Sequence, residues 1–275
     1  MRLGGELHIE GKLISMCLKC ETPDIYHHIE YTYLSSFCFV VLYLFICLQT
    51  SREVQSAYFH ATTVSLHTGY VYSGSGDFGF VSLSDSNNHK AEAVHAALRP
   101  VFENLTAKGI STLWMCSDGP VSQYRNSKNA FLLQRVAVEF GIDIVWTFSE
   151  AGHGKSVCDG IGGVVKSLAD DQAAFNTSAV VGNAEDLKNS LDGKTSVQLY
   201  IHTEENIDQV VQVLPGKLSS LTGALKIHQL VVSKDGSMST KQMPAEQAKP
   251  FRITVTVRRA AAATAPVQET DETVG

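Results

Sequence analysis

The chain has 275 residues, 44% of them apolar and 18% charged, with 21 glycines and only 7 prolines. That composition excludes disorder throughout and supplies enough apolar surface for a sizeable core in one or two domains. A formal net charge of −6 excludes a wholly basic nucleic-acid surface but leaves room for a local cationic groove. The six cysteines (Cys17, Cys20, Cys38, Cys47, Cys116, Cys158) are too scattered for a secreted disulfide framework, so a reducing compartment is the expectation.

Residues 1–51 form an atypical N-terminal segment. Cys17, Cys20, His27 and His28 are zinc-ligand types, but the second well-spaced cysteine pair of a structural zinc site does not accompany them. No charged side chain stands between Glu30 and Arg52, and Phe37 to Leu48 is an unbroken apolar run. Residues 31–51 thus meet the ~20-residue requirement of a transmembrane helix. They read either as a single-pass membrane anchor or as core. Glu6, Glu10, Glu21, Asp24 and Glu30 precede the run, which argues against a cleavable signal.

From Arg52 the pattern changes to short β-like runs, turn signals and helical stretches, the signature of an α/β domain over 52–170. Residues 56–67 with 70–73 alternate like a hairpin, and 78–83 (FGFVSL) predict a third strand. Asp77-Phe78-Gly79 shares its letters with the kinase magnesium motif, but without the rest of the kinase signature it reads as a hairpin turn. Residues 88–108 have helical spacing in Ala91, Val94, Leu98, Val101, Phe102 and Leu105, closed by Gly109. A buried strand at 110–116, a helix at 129–140 stopped by Gly141, a strand at 142–148 and a last helix follow. The order is β-β-β-α-β-α-β-α, that of an RNase H-like mixed sheet flanked by helices.

Residues 171–258 carry a weaker pattern, with strands at 197–202 and 225–232, a helix near 204–214 and an apolar run at 251–257. They read as a small C-terminal α+β appendage. The Ala-rich, then acidic, tail over 259–275 has almost nothing to bury and is expected to be disordered.

Two constellations could carry chemistry. Asp118 stands at the mouth of the 110–116 strand, followed by Gln123, Arg125 and Asn126. Asp also caps turns for purely structural reasons. The second, S-E-A-G-H-G-K-S-V-C-D-G-I-G-G-V-V-K over 149–166, invites a phosphate-loop reading. That pattern requires Gly at 149, where this chain has Ser149, which leaves nucleotide hydrolysis the weaker alternative. In the other reading, Asp159 opens the last helix and shares a Mg²⁺ or Mn²⁺ ion with Asp118, while His153, Lys155 and Lys166 supply positive charge for a phosphate backbone. The bland reading makes the glycines packing devices and the charges a solvated rim.

The run SDGPVSQYRNSKNAF, the strand FGIDIVW and the segment HGKSVCDGIGGVVKSLA resemble transposon-derived, RNase H-like proteins of animal genomes, related to DDE/DDD transposases. The resemblance covers 52–170 well and 176–240 loosely. It implies DNA as partner, a nuclear location, and metal-dependent strand cleavage and transfer by an acidic triad. Asp118 matches the second acid and Asp159 the third; Gln123, Arg125, Asn126, His153, Lys155 and Lys166 would lie along the substrate. The first acid belongs on the opening strand, where this chain has Val41, and no Asp or Glu occurs from 31 to 52. The expectation is therefore a transposase-derived domain without strand-transfer activity. The alternative of a different class is a non-enzymatic membrane or interaction protein on the same scaffold.

Overall fold

The computed structural model describes residues 37–49, 63–148, 157–175, 182–221, 223–242 and 249–251, with side chains described except at 37–49, 172–175 and 249–251. The strands are β1 (Phe37–Gln49), β2 (Thr63–Ser73), β3 (Phe78–Ser84), β4 (Thr112–Ser117), β5 (Asp143–Phe148), β6 (Gln198–Ile201), β7 (Gln229–Val232), β8 (Met238–Lys241) and β9 (Lys249–Phe251). Among the described residues the α-helices are α1 (Ala91–Ala107), α2 (Ser127–Phe140), α3 (Val157–Phe175), α4 (Ala184–Leu191) and α5 (Glu204–Gln212). All nine strands form one mixed sheet, ordered β6-β3-β2-β1-β4-β5-β7-β8-β9. The protein is α/β, as its sequence pattern implies.

At the centre, β1 pairs antiparallel with β2 and parallel with β4, with Val41 opposite both Tyr70 and Cys116. The β2–β3 pair is antiparallel and the β4–β5 pair parallel. Three meander strands are followed by alternating helices and parallel strands, but the three are not the expected ones: β1 lies before residue 52, and β2 runs through the expected break between 67 and 70.

Residues 37–49 are therefore a strand, which corrects the transmembrane-helix reading of that part of 31–51; residues 31–36 and 50–51 lie outside the described residues. A central strand between two helical layers reads as a continuous apolar run rather than an alternating one, so hydropathy alone does not separate it from a membrane helix. Among the described residues no helix is long and apolar enough to cross a membrane.

The two faces of the sheet are written in strand alternation. Val71, Phe80, Leu113, Met115, Ile144 and Trp146 meet the apolar stripes of α1 and α2. Val64, Leu66, Val81 and Leu83 face the other way, onto Ile161, Val165 and Ala169 of α3 and Leu187 and Leu191 of α4. The expected hairpin within 56–73 is corrected: 63–73 is one unbroken strand, and its turn falls at 74–77, where Gly76 has φ +123°. Gly69 bends nothing; a Cβ there would collide with the Phe80 ring on the neighbouring strand.

The strands of the expected C-terminal α+β appendage extend the same sheet. β6 adds parallel to β3 at one edge, and β7 adds antiparallel to β5 toward the other. The helices are closed by local signals: Asn126 and Asn183 accept from backbone N–H groups at the starts of α2 and α4, Thr203 and Asn206 form a capping box on α5, and Gly141 ends α2 at φ +65°.

Candidate functional site

The C-terminal ends of β4 and β5, the β4–α2 loop and the 3₁₀ turn at Ala224–Lys226 meet at one end of the sheet. Trp146 Nε1 donates to Ser117 Oγ at 2.9 Å, and Ser117 Oγ donates to the Asp118 carbonyl at 2.7 Å, fixing the chain as it leaves β4. Asp118 is half-buried there. Its Oδ1 has no hydrogen-bond partner, and burial raises its carboxyl to about 6, with the Arg125 cation opposing the rise.

Arg125 is folded inward. Its guanidinium fills the space a side chain at Gly119 would need and stacks on the Phe148 ring at 5.4 Å. Its Nη1 donates to the Leu225 carbonyl at 3.0 Å, tying the loop to the 3₁₀ turn. Asn126 is occupied by the fold: Oδ1 accepts from Asn129 N at 2.9 Å and Nδ2 donates to the Val121 carbonyl at 2.7 Å. Gln123 is buried, with Oε1 unpartnered.

Asp159 lies in the first turn of α3, half-buried next to fully buried Cys158, and Lys166 is exposed two turns on. His153 and Lys155, with the phosphate-loop-like residues 149–156, lie outside the described residues, as do Cys17, Cys20, His27 and His28. The structure thus brings Asp118 and Arg125 together with Phe148, uses Asn126 as a cap, and places Asp159 and Lys166 on the α3 side.

Beneath this end runs a buried polar chain that the sequence reading did not assemble. Tyr124 is fully buried, its ring 5.3 Å from Trp146 and its hydroxyl 3.2 Å from His67 Nε2 on β2. His67 is the register partner of Ser82, whose Oγ lies 2.8 Å from His202 Nδ1. On the other side, Asn129 Nδ2 donates to the Tyr124 carbonyl and Asn129 Oδ1 accepts from His95 Nε2, both at 2.8 Å. Burial lowers His67 to about 3, aided by the charges of the other histidines, and lowers His95 and His202 to about 4. All three are neutral at pH 7. The available signal was parity: His67 shares the strand face of Val71, which packs under α1 and α2.

The resemblance implies Mg²⁺ or Mn²⁺. Asp118 Oδ1 is an acceptor a cation could use, but the neighbouring guanidinium already supplies positive charge, and β1 contributes no carboxylate. Among the described residues, no three of His, Cys, Asp and Glu gather as a metal-holding group. The described side chains do not make the three-acid set that two-metal phosphodiester chemistry uses.

No curated protein and no solved structure matches the chain. A family model, described as Domain of unknown function (DUF8701), matches residues 43–244, from within β1 to just beyond β8, and the chain belongs to that family.

Proposed function

We propose that this is a transposase-derived, RNase H-like domain that keeps the DNA-binding scaffold and has lost metal-dependent strand cleavage and transfer. One observation carries the reading: the central strand order β3-β2-β1-β4-β5 places Asp118 just beyond β4, while β1 beside it has no Asp or Glu along Phe37–Gln49. With that acid missing, a divalent ion has one fewer anionic ligand to bridge the attacking and leaving oxygens. Arg125, held over Phe148, works as an internal strut between two loops, and Lys166 is an exposed cation on α3. DNA contact then rests on phosphate neutralisation by surface lysines and is sensitive to salt.

The test incubates the full chain with a labelled DNA duplex, with and without Mg²⁺ or Mn²⁺, and reads anisotropy and strand length. Salt-sensitive binding with uncut strands is expected. Cleavage that EDTA stops and Asp118→Asn removes would show a working site; absence of binding at low salt would sink the DNA assignment.

A further inference from the structure

A groove of about 590 Å³ runs between α1, α2 and α5, with Ile201 at the end of β6 also on its wall. We propose that it binds a small, largely apolar carboxylate whose inner end carries an O–H or N–H donor. This does not depend on the nucleic-acid reading, since none of the residues at the ends of β4 and β5 lines the groove.

Two acceptors on α1 motivate the donor. His95, in the groove wall, is 4% exposed, and its Nδ1 has no hydrogen-bond partner. Its tautomer is fixed by its neighbour. Asn129 uses its amide nitrogen on the Tyr124 carbonyl, so its oxygen faces His95 and takes the Nε2 proton. Nδ1 is left with a lone pair, an acceptor that costs free energy while unmet. The second acceptor follows from Pro100 inside α1. Proline has no N–H to give the carbonyl four residues earlier. That carbonyl belongs to Ala96, and both residues line the groove.

The charges indicate the outer end. Arg99 is consumed within the protein, its Nε 3.0 Å from Glu103 and its Nη2 2.6 Å from Glu139. Arg135 is exposed on the same wall and, among the described residues, forms no ion pair. It is a fixed cation suited to a carboxylate. Between the two ends, Leu132, Val136, Phe140 and Val210 supply apolar wall. The volume is of the order used by small-molecule sites, roughly 300–1,000 Å³.

The test uses the full chain with 4-hydroxyphenylacetate and indole-3-propionate, each compared with its O-methyl or N-methyl analogue, by calorimetry and thermal shift at millimolar ligand. At least one donor-bearing acid is expected to bind, its methylated analogue about tenfold more weakly for loss of one hydrogen bond to a buried acceptor. Arg135→Glu, a surface change that leaves the unliganded melting temperature intact, is expected to weaken the acid by about tenfold or more. Binding of neither acid, equal binding of acid and methylated analogue, or indifference to Arg135→Glu would each overturn the proposal.

Discussion

The Tyr124 hydroxyl lies 3.2 Å from His67 Nε2, although one residue belongs to the β4–α2 loop and the other to the middle of β2. The loop that carries Asp118 is thereby pinned to the far half of the sheet through the core rather than across the surface. Removing the hydroxyl with Tyr124→Phe keeps the ring on Trp146 and deletes only that link. A loss of about 1–2 kcal/mol in urea unfolding at pH 7 is expected, the cost of one buried hydrogen bond. A variant as stable as the parent would show the link to be energetically idle.

The three buried histidines make the fold acid-sensitive. Their folded values, about 3 for His67 and about 4 for His95 and His202, lie below the unfolded value of about 6.5. Below that value the unfolded chain takes up protons that the folded chain refuses, so stability is full above it and drains as pH falls. At pH 5 each histidine withdraws about 2 kcal/mol, up to about 6 kcal/mol for the three. Total stability is typically only about 5–15 kcal/mol. Urea midpoints should drop steeply between pH 7 and pH 5; a flat profile would contradict neutral burial.

Asp118 works in the other direction. Its folded value of about 6 exceeds the ordinary one, so the folded state holds its proton longer and loses relative stability as pH rises through about 4 to 6. At pH 7 the penalty is at most about 3 kcal/mol, and about 1 kcal/mol once solvent screening of a half-buried carboxyl is allowed for. Asp118→Asn should therefore be the more stable protein by about 1 kcal/mol at pH 7 and show no gain at pH 4. Destabilisation at pH 7 would mean instead that the carboxylate is a needed counter-ion of Arg125.

Divalent ions offer a direct check on the metal argument. Millimolar Mg²⁺ or Mn²⁺ should leave the melting temperature of the full chain unchanged, because an ion that binds only the folded state must raise it. A rise that disappears in Asp159→Asn would restore a shared Asp118–Asp159 site.

Ending the chain after Phe175 would strip β6 from the β3 edge and β7 from the β5 edge. Two strands would then present unpaired N–H and C=O groups, a template for edge-to-edge association. The shortened chain should be found in the pellet after expression; a soluble monomer would show that 176–275 is dispensable.

Much of the fold was legible because α1, α2 and the β4 and β5 strands carry strong periodicity and end at Gly109 and Gly141. The β1 strand was ambiguous because Phe37–Gln49 lacks the alternation that marks a half-exposed strand, and length and hydropathy suit a helix equally. The hairpin expected from 56–67 and 70–73 broke the strand at 68–69, because the Phe80 ring that requires Gly69 lies on another strand. The pairing of β6 and β7 with β3 and β5 was not legible because it is long-range, which no local pattern records. At the site, Asp118 and Arg125 stood out as charges beside a strand end. Asn126 was legible only as a polar residue, since the N–H it caps becomes an orphan only once α2 exists. The His67–Tyr124 link joins residues that are neighbours only in three dimensions.

The position of β1 also governs how the molecule comes into being. It is synthesised before every strand it joins: the antiparallel partner β2 follows soon, but the parallel partner β4 arrives only after β3 and α1 have been made. Closing that loop carries an entropic cost before the pairing rewards it, which places the protein among slow folders. In the interval a thirteen-residue apolar strand has one edge without its mate, and chaperone capture of the nascent chain should act on Phe37–Gln49 until β4 clears the ribosome.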